Sequence, residues 1–194
     1  MMLTPEMAMQ RLIDGHQRFM LGQQTSTFSI ETATSSENVQ RQNPVASVLT
    51  CSDSRAIPAF IFDMSFGDIF VVKTAGAIAT ETQLASLEFA VSQLNCPLIV
   101  VMGHTSCGAI GATISHLLGD SPTSPNLYHL VEHIANLIDD KTRDSTEAVK
   151  RATIATSQRL SHHSSILAEA VNAGTLKIVA CLYDLSTGDL LFME

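Results

Sequence analysis

The sequence predicts a single α/β domain with a mostly parallel central sheet of four to five strands flanked by helices. Three observations carry that expectation. Short β-branched runs fall at residues 45–50, 69–72, 98–102 and 176–182. Helical segments separate them, and strands alternating with helices build a largely parallel sheet. The chain has 194 residues, 45% of them hydrophobic, which is material for one sizeable core and little reason to expect two.

Residues 4–21 read as an amphipathic helix. Thr4 can cap it, Pro5 suits its first position, and Met9, Leu12, Ile13, His16 and Phe19 fall near helical spacing. Residues 22–42 are polar and rich in Ser and Thr, an irregular arm long enough to wrap something rather than hang free. The chain thus divides into a helix and arm, 1–42, and an α/β core, 43–194. In the core the first strand ends at Cys51, a short helix covers 56–63, and the second strand follows. Residues 80–94 form a helix with Thr80 and Gln83 as a capping box and Leu84, Leu87, Phe89, Val91 and Leu94 on its apolar face. Pro97 and Gly103 bracket the third strand, and residues 108–118 open another helix. Residues 126–173 are helical with few strand signals, stopping at Asn172-Ala173-Gly174. A strand over 175–183, the turn Ser186-Thr187-Gly188-Asp189 and a strand over 190–193 close the chain as a hairpin.

Charged residues make up only 15% of the chain, low for a free-standing monomer, which hints at apolar surface covered by another subunit. The formal net charge is −8 and Lys and Arg are scattered, which argues against binding to nucleic acid or to an anionic membrane. No stretch approaches the roughly 20 apolar residues of a membrane span. Residues 1–10 lack a basic segment followed by an apolar run, so a cytoplasmic protein is expected. Its four cysteines, Cys51, Cys96, Cys107 and Cys181, are then thiols or metal ligands rather than disulfides.

Functional groups gather at the carboxyl ends of parallel strands. The first strand runs into Cys51-Ser52-Asp53-Ser54-Arg55 and the third into His104-Thr105-Ser106-Cys107-Gly108. Neighbouring strands would bring these ends together. Two thiolates and one imidazole are good zinc ligands, and three protein ligands with one open position is the arrangement of catalytic zinc. His104 and Cys107 can reach one ion from a single turn, and Gly108 and Gly111 permit close backbone approach. Cys107 falls near a helix N-terminus, where the dipole favours a thiolate. The same residues also fit two small buried hydrophobes and a core histidine. Cys51, Asp53 and Arg55 can share one face of an extended segment. A carboxylate there can accept a hydrogen bond from metal-held water, and the guanidinium can keep it oriented and ionised. A plain surface ion pair is the alternative for Asp53 and Arg55.

Together these two motifs resemble the paired signature of the β-class carbonic anhydrases. The resemblance spans nearly the whole chain. It includes Gly15-His16-Gln17-Arg18-Phe19, Gly67-Asp68-Ile69-Phe70-Val71-Val72, Ala85-Ser86-Leu87-Glu88-Phe89-Ala90-Val91 and Leu182-Tyr183-Asp184-Leu185-Ser186-Thr187-Gly188. It implies zinc-dependent reversible hydration of carbon dioxide to bicarbonate and a proton, by attack of zinc-activated hydroxide. One zinc per chain is held by Cys51, His104 and Cys107, with Asp53 and Arg55 as catalytic dyad. The resemblance further implies that Gln42, nine residues before Cys51, reaches substrate across a subunit interface. Phe70, Ala75 and Phe89 wall the carbon dioxide pocket, with Phe89 where some members have tyrosine, and Gly108 offers its amide to the bound anion. A homodimer or higher even oligomer follows, with the N-terminal helical arm packing on a partner subunit.

The chain also departs from the family pattern. Where members commonly carry an arginine, then Ala-Gly or Val-Ala, then an asparagine, it has Lys73-Thr74-Ala75-Gly76-Ala77. Lys73 keeps the charge without the bidentate fork, and Ala77 has no side-chain amide. His16 stands where asparagine is frequent, and Ala56 where valine is. In some members the counterpart of Asp53 moves onto zinc, stabilised by a bicarbonate pocket of tryptophan, arginine and tyrosine. Here Val48 and Lys73 replace the first two and only Tyr183 matches, so an open, water-bound site is expected at neutral pH. Two other functions fit the same residues: a carbonyl sulfide or carbon disulfide hydrolase, and a non-catalytic zinc scaffold or bicarbonate-binding protein. Intact Asp53, Arg55 and Gln42 weigh against the scaffold. Elsewhere, His129 and His133 are spaced i, i+4 without a third ligand and read as an exposed or partner-facing pair. His162-His163 reads as a solvated helix start, and Cys96 and Cys181 as buried thiols.

Overall fold

The computed structural model describes residues 3–26, 28–139 and 141–193. Thr4 caps helix α1 (Pro5–Met20) by accepting from the Met7 amide, and Ala8, Leu12 and Gly15 form its buried stripe. That stripe lies within the chain itself. Ala8 and Leu12 share one core cluster with Val48, Phe62, Val100 and Met102. A Cβ on Gly15 would stand 1.9 Å from the Phe62 carbonyl oxygen, so α1 makes a close approach to this chain that only glycine permits. The buried stripe of α1 is thus used within the chain, while Met7 and Met20 on the same helix stay exposed.

The arm is not irregular throughout. It contains α2 (Ile30–Ala33), capped by Ser29, and α3 (Ser36–Gln40). Helices this short have no room for a periodic apolar stripe, so no sequence pattern marks them. The beginning of the arm is fastened to the core by Asp63. Its buried carboxylate accepts from Arg18 Nε and from the Thr25 and Ser26 amides.

Five strands form one sheet: β1 (Ala46–Thr50), β2 (Ile69–Lys73), β3 (Leu98–His104), β4 (Lys177–Tyr183) and β5 (Leu190–Met193). Their order is β2-β1-β3-β4-β5, with the first four parallel and β5 antiparallel to β4. Side chains alternate across it. Val48, Val100 and Met102 face α1 and the residues around α4 (Pro58–Ile61). Leu49, Ile99 and Val101 pack with Leu87 of α5 (Glu81–Leu94), Leu160 of α8 (Ser145–His162) and Leu167 of α9 (Ser165–Asn172). A third cluster closes the carboxyl ends of the strands. There Ile110 of α6 (Gly108–Leu117), Ile134 of α7 (Pro125–Ala135) and Val149 of α8 surround Cys51 and Cys107.

Residues 126–173, read as one helical stretch, are divided by caps. Asp144 accepts from the Glu147 amide to start α8, and Ser164 accepts from the Leu167 amide to start α9. His162 and His163 consequently end α8 rather than begin a helix, because the start signal belongs to Ser164. Cys96 and Cys181 are buried thiols, and burial pushes Cys96 up to about 11. Among the described residues no helix is long and apolar enough to cross a membrane.

Candidate metal centre

Pairing of β1 with β3 sets Thr50 opposite Met102, so Cys51 and His104 leave neighbouring strands side by side. Beyond His104 the backbone turns through Ser106, at φ 57°, which brings Cys107 back as the N-cap of α6. The ligand atoms of Cys51, His104 and Cys107 lie within 4.8 Å of one another. Among the described residues no other set of His, Cys, Asp or Glu converges in this way. The two sulfurs are 3.9 Å apart, and the cavity that the three residues line is about 10 Å³, about the room of one water-sized sphere.

Backbone groups orient each donor. The His104 Nδ1–H donates to the Thr105 carbonyl at 2.9 Å, which leaves Nε2 with its lone pair free. Nε2 is buried and finds no hydrogen-bond partner among the described residues. Such an orphan is costly unless a cation takes the lone pair. Cys51 Sγ accepts from the Gly76 amide at 3.4 Å. Gly76 sits at φ 75°, and a Cβ there would meet Ile134 Cδ1 at 2.7 Å, so glycine is what lets this amide approach the sulfur.

The protons of the cluster are shared. A hydrogen bond from Cys107 holds the Cys51 thiol below its ordinary value, and Cys107 is correspondingly held above its own. Burial opposes charge on His104, but the neighbouring Cys51 sulfur and the Thr105 carbonyl outweigh it and raise its pKa. A cation entering here displaces protons.

Asp53 stands at the rim, its side chain 16% exposed. Its Oδ1 accepts from the Arg55 amide at 2.9 Å and from Arg55 Nε at 3.0 Å, and its Oδ2 accepts from Nη2 at 2.8 Å. This fork holds the carboxyl well below the usual carboxylate range. Oδ2 lies 3.8 Å from His104 Nε2. The pair read as either a surface ion bridge or a dyad is therefore beside the Cys51, His104 and Cys107 group.

Ala75 opens the tight turn Ala75–Ala77 beside the Gly76 amide, and Gly108 follows Cys107 as the first residue of α6. A Cβ on Gly108 or Gly111 would meet nothing beyond its own helix within 4 Å, so the close backbone approach expected of them is not made in this chain. Three expected site residues lie elsewhere. Phe70 pairs with Ser47, four residues before Cys51, roughly 13 Å back along the strand. Phe89 lies against Phe70 with ring centroids 6.4 Å apart and is 48% exposed. Gln42 is exposed, just ahead of the start of β1. The chain thus gathers Asp53, Arg55, Ala75 and Gly108 around Cys51, His104 and Cys107 and carries Phe70, Phe89 and Gln42 at the far end of β1.

Sequence patterning did not reveal the contacts of Lys73. Its Nζ donates to the Asp53 carbonyl at 3.1 Å and to the Ala56 carbonyl at 3.0 Å. A separate cleft of about 650 Å³ lies between α5, α7 and α8, lined in part by His133, Arg159 and His163. Burial, and then Arg159, lowers the pKa of His133, while His129 is exposed.

The carbonic anhydrase family model matches residues 46–190. The chain is 38% identical to a carbonic anhydrase of Mycolicibacterium smegmatis and 34% identical to carbonic anhydrase 2 of Mycobacterium tuberculosis. Each match covers 95% of this chain and 91% of the relative. Its fold matches that of the β-carbonic anhydrase CcaA with a TM-score of 0.75 at 26% identity, over 96% of this chain and 87% of that one. The chain belongs to the β-carbonic anhydrases. A Coccomyxa β-carbonic anhydrase, solved with acetazolamide, shares the fold with a TM-score of 0.70 at 23% identity, over 84% of this chain and 78% of that one. Against the β-carbonic anhydrase pattern, Ala77 now has a physical meaning. It sits at φ 55°, a left-handed conformation that asparagine adopts more readily than alanine.

Proposed function

We propose that this protein hydrates carbon dioxide reversibly to bicarbonate and a proton, with one zinc ion per chain held by Cys51, His104 and Cys107. The observation that carries this reading is the convergence of two thiol sulfurs and an orphaned, buried imidazole nitrogen on one small cavity, with an ionised carboxylate at its rim. Two soft sulfurs and one imidazole match the donor preference of zinc. When bound, zinc lowers the pKa of water towards neutrality and so supplies a nucleophile.

The residues of the chain then have separate tasks. Arg55 occupies both Asp53 oxygens from one side, so Asp53 stays an acceptor and cannot rotate freely. Its Oδ2 accepts the O–H of the attacking water and thereby aims a lone pair at the carbon of carbon dioxide. Ala75 offers an apolar wall, and the Gly108 amide, at the start of α6, favours the negative charge that develops on bicarbonate. Phe70, Phe89 and Gln42 serve the centre of a second copy, which makes the protein a homodimer or higher even oligomer. Their separation from their own metal cluster supports this, as does apolar exposure at Phe70's neighbour Val71 and at Phe89.

Stopped-flow hydration of carbon dioxide, with zinc measured on the same sample, tests the reading. Rapid hydration by protein carrying zinc is expected. Asp53→Asn should keep its zinc and lose about 10²-fold or more in turnover, the usual scale for proton-handling groups. Full activity in that variant removes Asp53 from the mechanism. Zinc-loaded protein that turns over carbonyl sulfide and not carbon dioxide overturns the proposed substrate.

A further inference from the structure

We infer that Lys73 is a positioning residue for Asp53, clamping the turn that carries the catalytic carboxylate. The chain leaves β1 through Cys51 and Ser52 and folds at once into a turn, closed by the Ala56 amide donating to the Asp53 carbonyl at 3.3 Å. Lys73 closes the last pairing of β2 with β1, opposite Thr50, so its side chain starts beside this exit. Its ammonium donates to both ends of the turn, to Asp53 O and to Ala56 O. Two carbonyl dipoles aimed at one point repel each other, and a cation between them converts that repulsion into attraction. A compact ammonium with three donors can serve two such acceptors at once. Ala56 itself is fully buried, so the clamp ties Asp53 to a fixed point of the core.

The metal ligand in the same segment is held by other bonds. The Thr74 amide donates to Thr50 O and the Ser52 amide to Thr74 O, both at 3.1 Å, and Gly76 N–H reaches Cys51 Sγ. Cys51 therefore keeps its place without Lys73, whereas the Asp53 carbonyl would keep only the long 3.3 Å bond from the Ala56 amide. Arg55 grips the carboxylate but belongs to the same turn, so it moves with Asp53 rather than anchoring it. Loss of Lys73 should separate two properties that a general loss of structure would damage together: metal binding and turnover.

This inference rests on the carbonic anhydrase reading for its kinetic arm alone. Lys73→Met should bind zinc like the parent, lose about 10–100-fold in kcat, the scale of a misplacement near 1 Å, and change KM little. In an Asp53→Asn background the same substitution should have no further effect on kcat, because Lys73 acts through Asp53. Hydrogen exchange of the zinc-loaded protein should quicken in residues 51–57 and stay unchanged in residues 104–108. Lys73→Arg, which restores the charge and two donors, should recover part of the kcat. The inference is overturned if Lys73→Met loses zinc along with activity. It is equally overturned if Lys73→Met slows both backgrounds alike, or leaves exchange in residues 51–57 unaltered. A parent protein that hydrates no carbon dioxide fails the functional reading instead, and the exchange measurement still decides on the clamp.

Discussion

Replacing Asp63 by Asn should detach the arm from the core at a measurable cost. The Asp63 carboxylate is fully enclosed and accepts from Arg18 Nε, from the amide and hydroxyl of Thr25 and from the amide of Ser26. Asn keeps the shape, removes the charge and turns one acceptor into a donor, so one of those four groups meets another donor. Removing one partner of a buried ion pair costs about 3–5 kcal/mol. Arg18 is 35% exposed and keeps part of its hydration, so the expected loss is about 2–3 kcal/mol. For a chain of this size that lowers Tm by roughly 4–12 °C. Urea unfolding at fixed protein concentration gives the same quantity directly.

The pH dependence supplies a second check. Burial alone would raise the Asp63 carboxyl, but the Ser26 and Thr25 amides and the Arg18 guanidinium outweigh it and hold it below the ordinary range. A folded-state pKa depressed in this way contributes stability that is present above the unfolded value of about 3.9 and lost as pH falls through the folded value. The deficit of Asp63→Asn should therefore be constant from about pH 8 to 5 and narrow below about pH 4. Proteolysis within residues 22–42 should accelerate more than in a core variant of equal instability, because the arm is what Asp63 holds. A deficit below about 1 kcal/mol, the value of an exposed pair, would refute the reasoning. So would a deficit that persists unchanged below pH 3.

Three further outcomes follow from the same geometry. Gly15→Ala should destabilise by about 1–3 kcal/mol in urea, because the new Cβ meets the Phe62 carbonyl and α1 must lift. A gain of about 1 kcal/mol, the helix preference for Ala over Gly, would show that α1 does not make this close approach in solution. Gly76→Ala should cost about 1–2 kcal/mol for its left-handed backbone and weaken zinc binding by roughly tenfold or more, read by competition with a chromophoric chelator. Stripping the metal with a chelator should abolish hydration. Returning zinc in weak buffer should release protons, since Cys107 and His104 are both held above their ordinary values in the cation's absence.

Much of this molecule is legible from local signals. Thr4-Pro5 and the capping pair Thr80 and Gln83 mark helix starts wherever they occur in a chain, and the structure uses both; Gln83 Oε1 accepts from the Thr80 amide. The apolar runs of β1 and β3 read as buried strands because both faces of the sheet are covered. The two motifs at their ends name the donors, since only a few side chains bind zinc. Other features depend on distance in sequence. Asp63 is 45 residues from Arg18, and nothing near either residue announces the pair. Phe70 and Phe89 sit in apolar patterns that look alike whether they lie beside Cys51 or far from it. The strand register, set by the pairing of whole strands, carries Phe70 away from the metal cluster. Lys73 reads as a departure from a family pattern, and only its pairing opposite Thr50 turns it into a clamp on Asp53. The sequence by itself determined which side chains can do the chemistry, because that is a property of single residues. The tertiary structure alone decided which of them meet, because strand order and register are set by burial of the whole sheet.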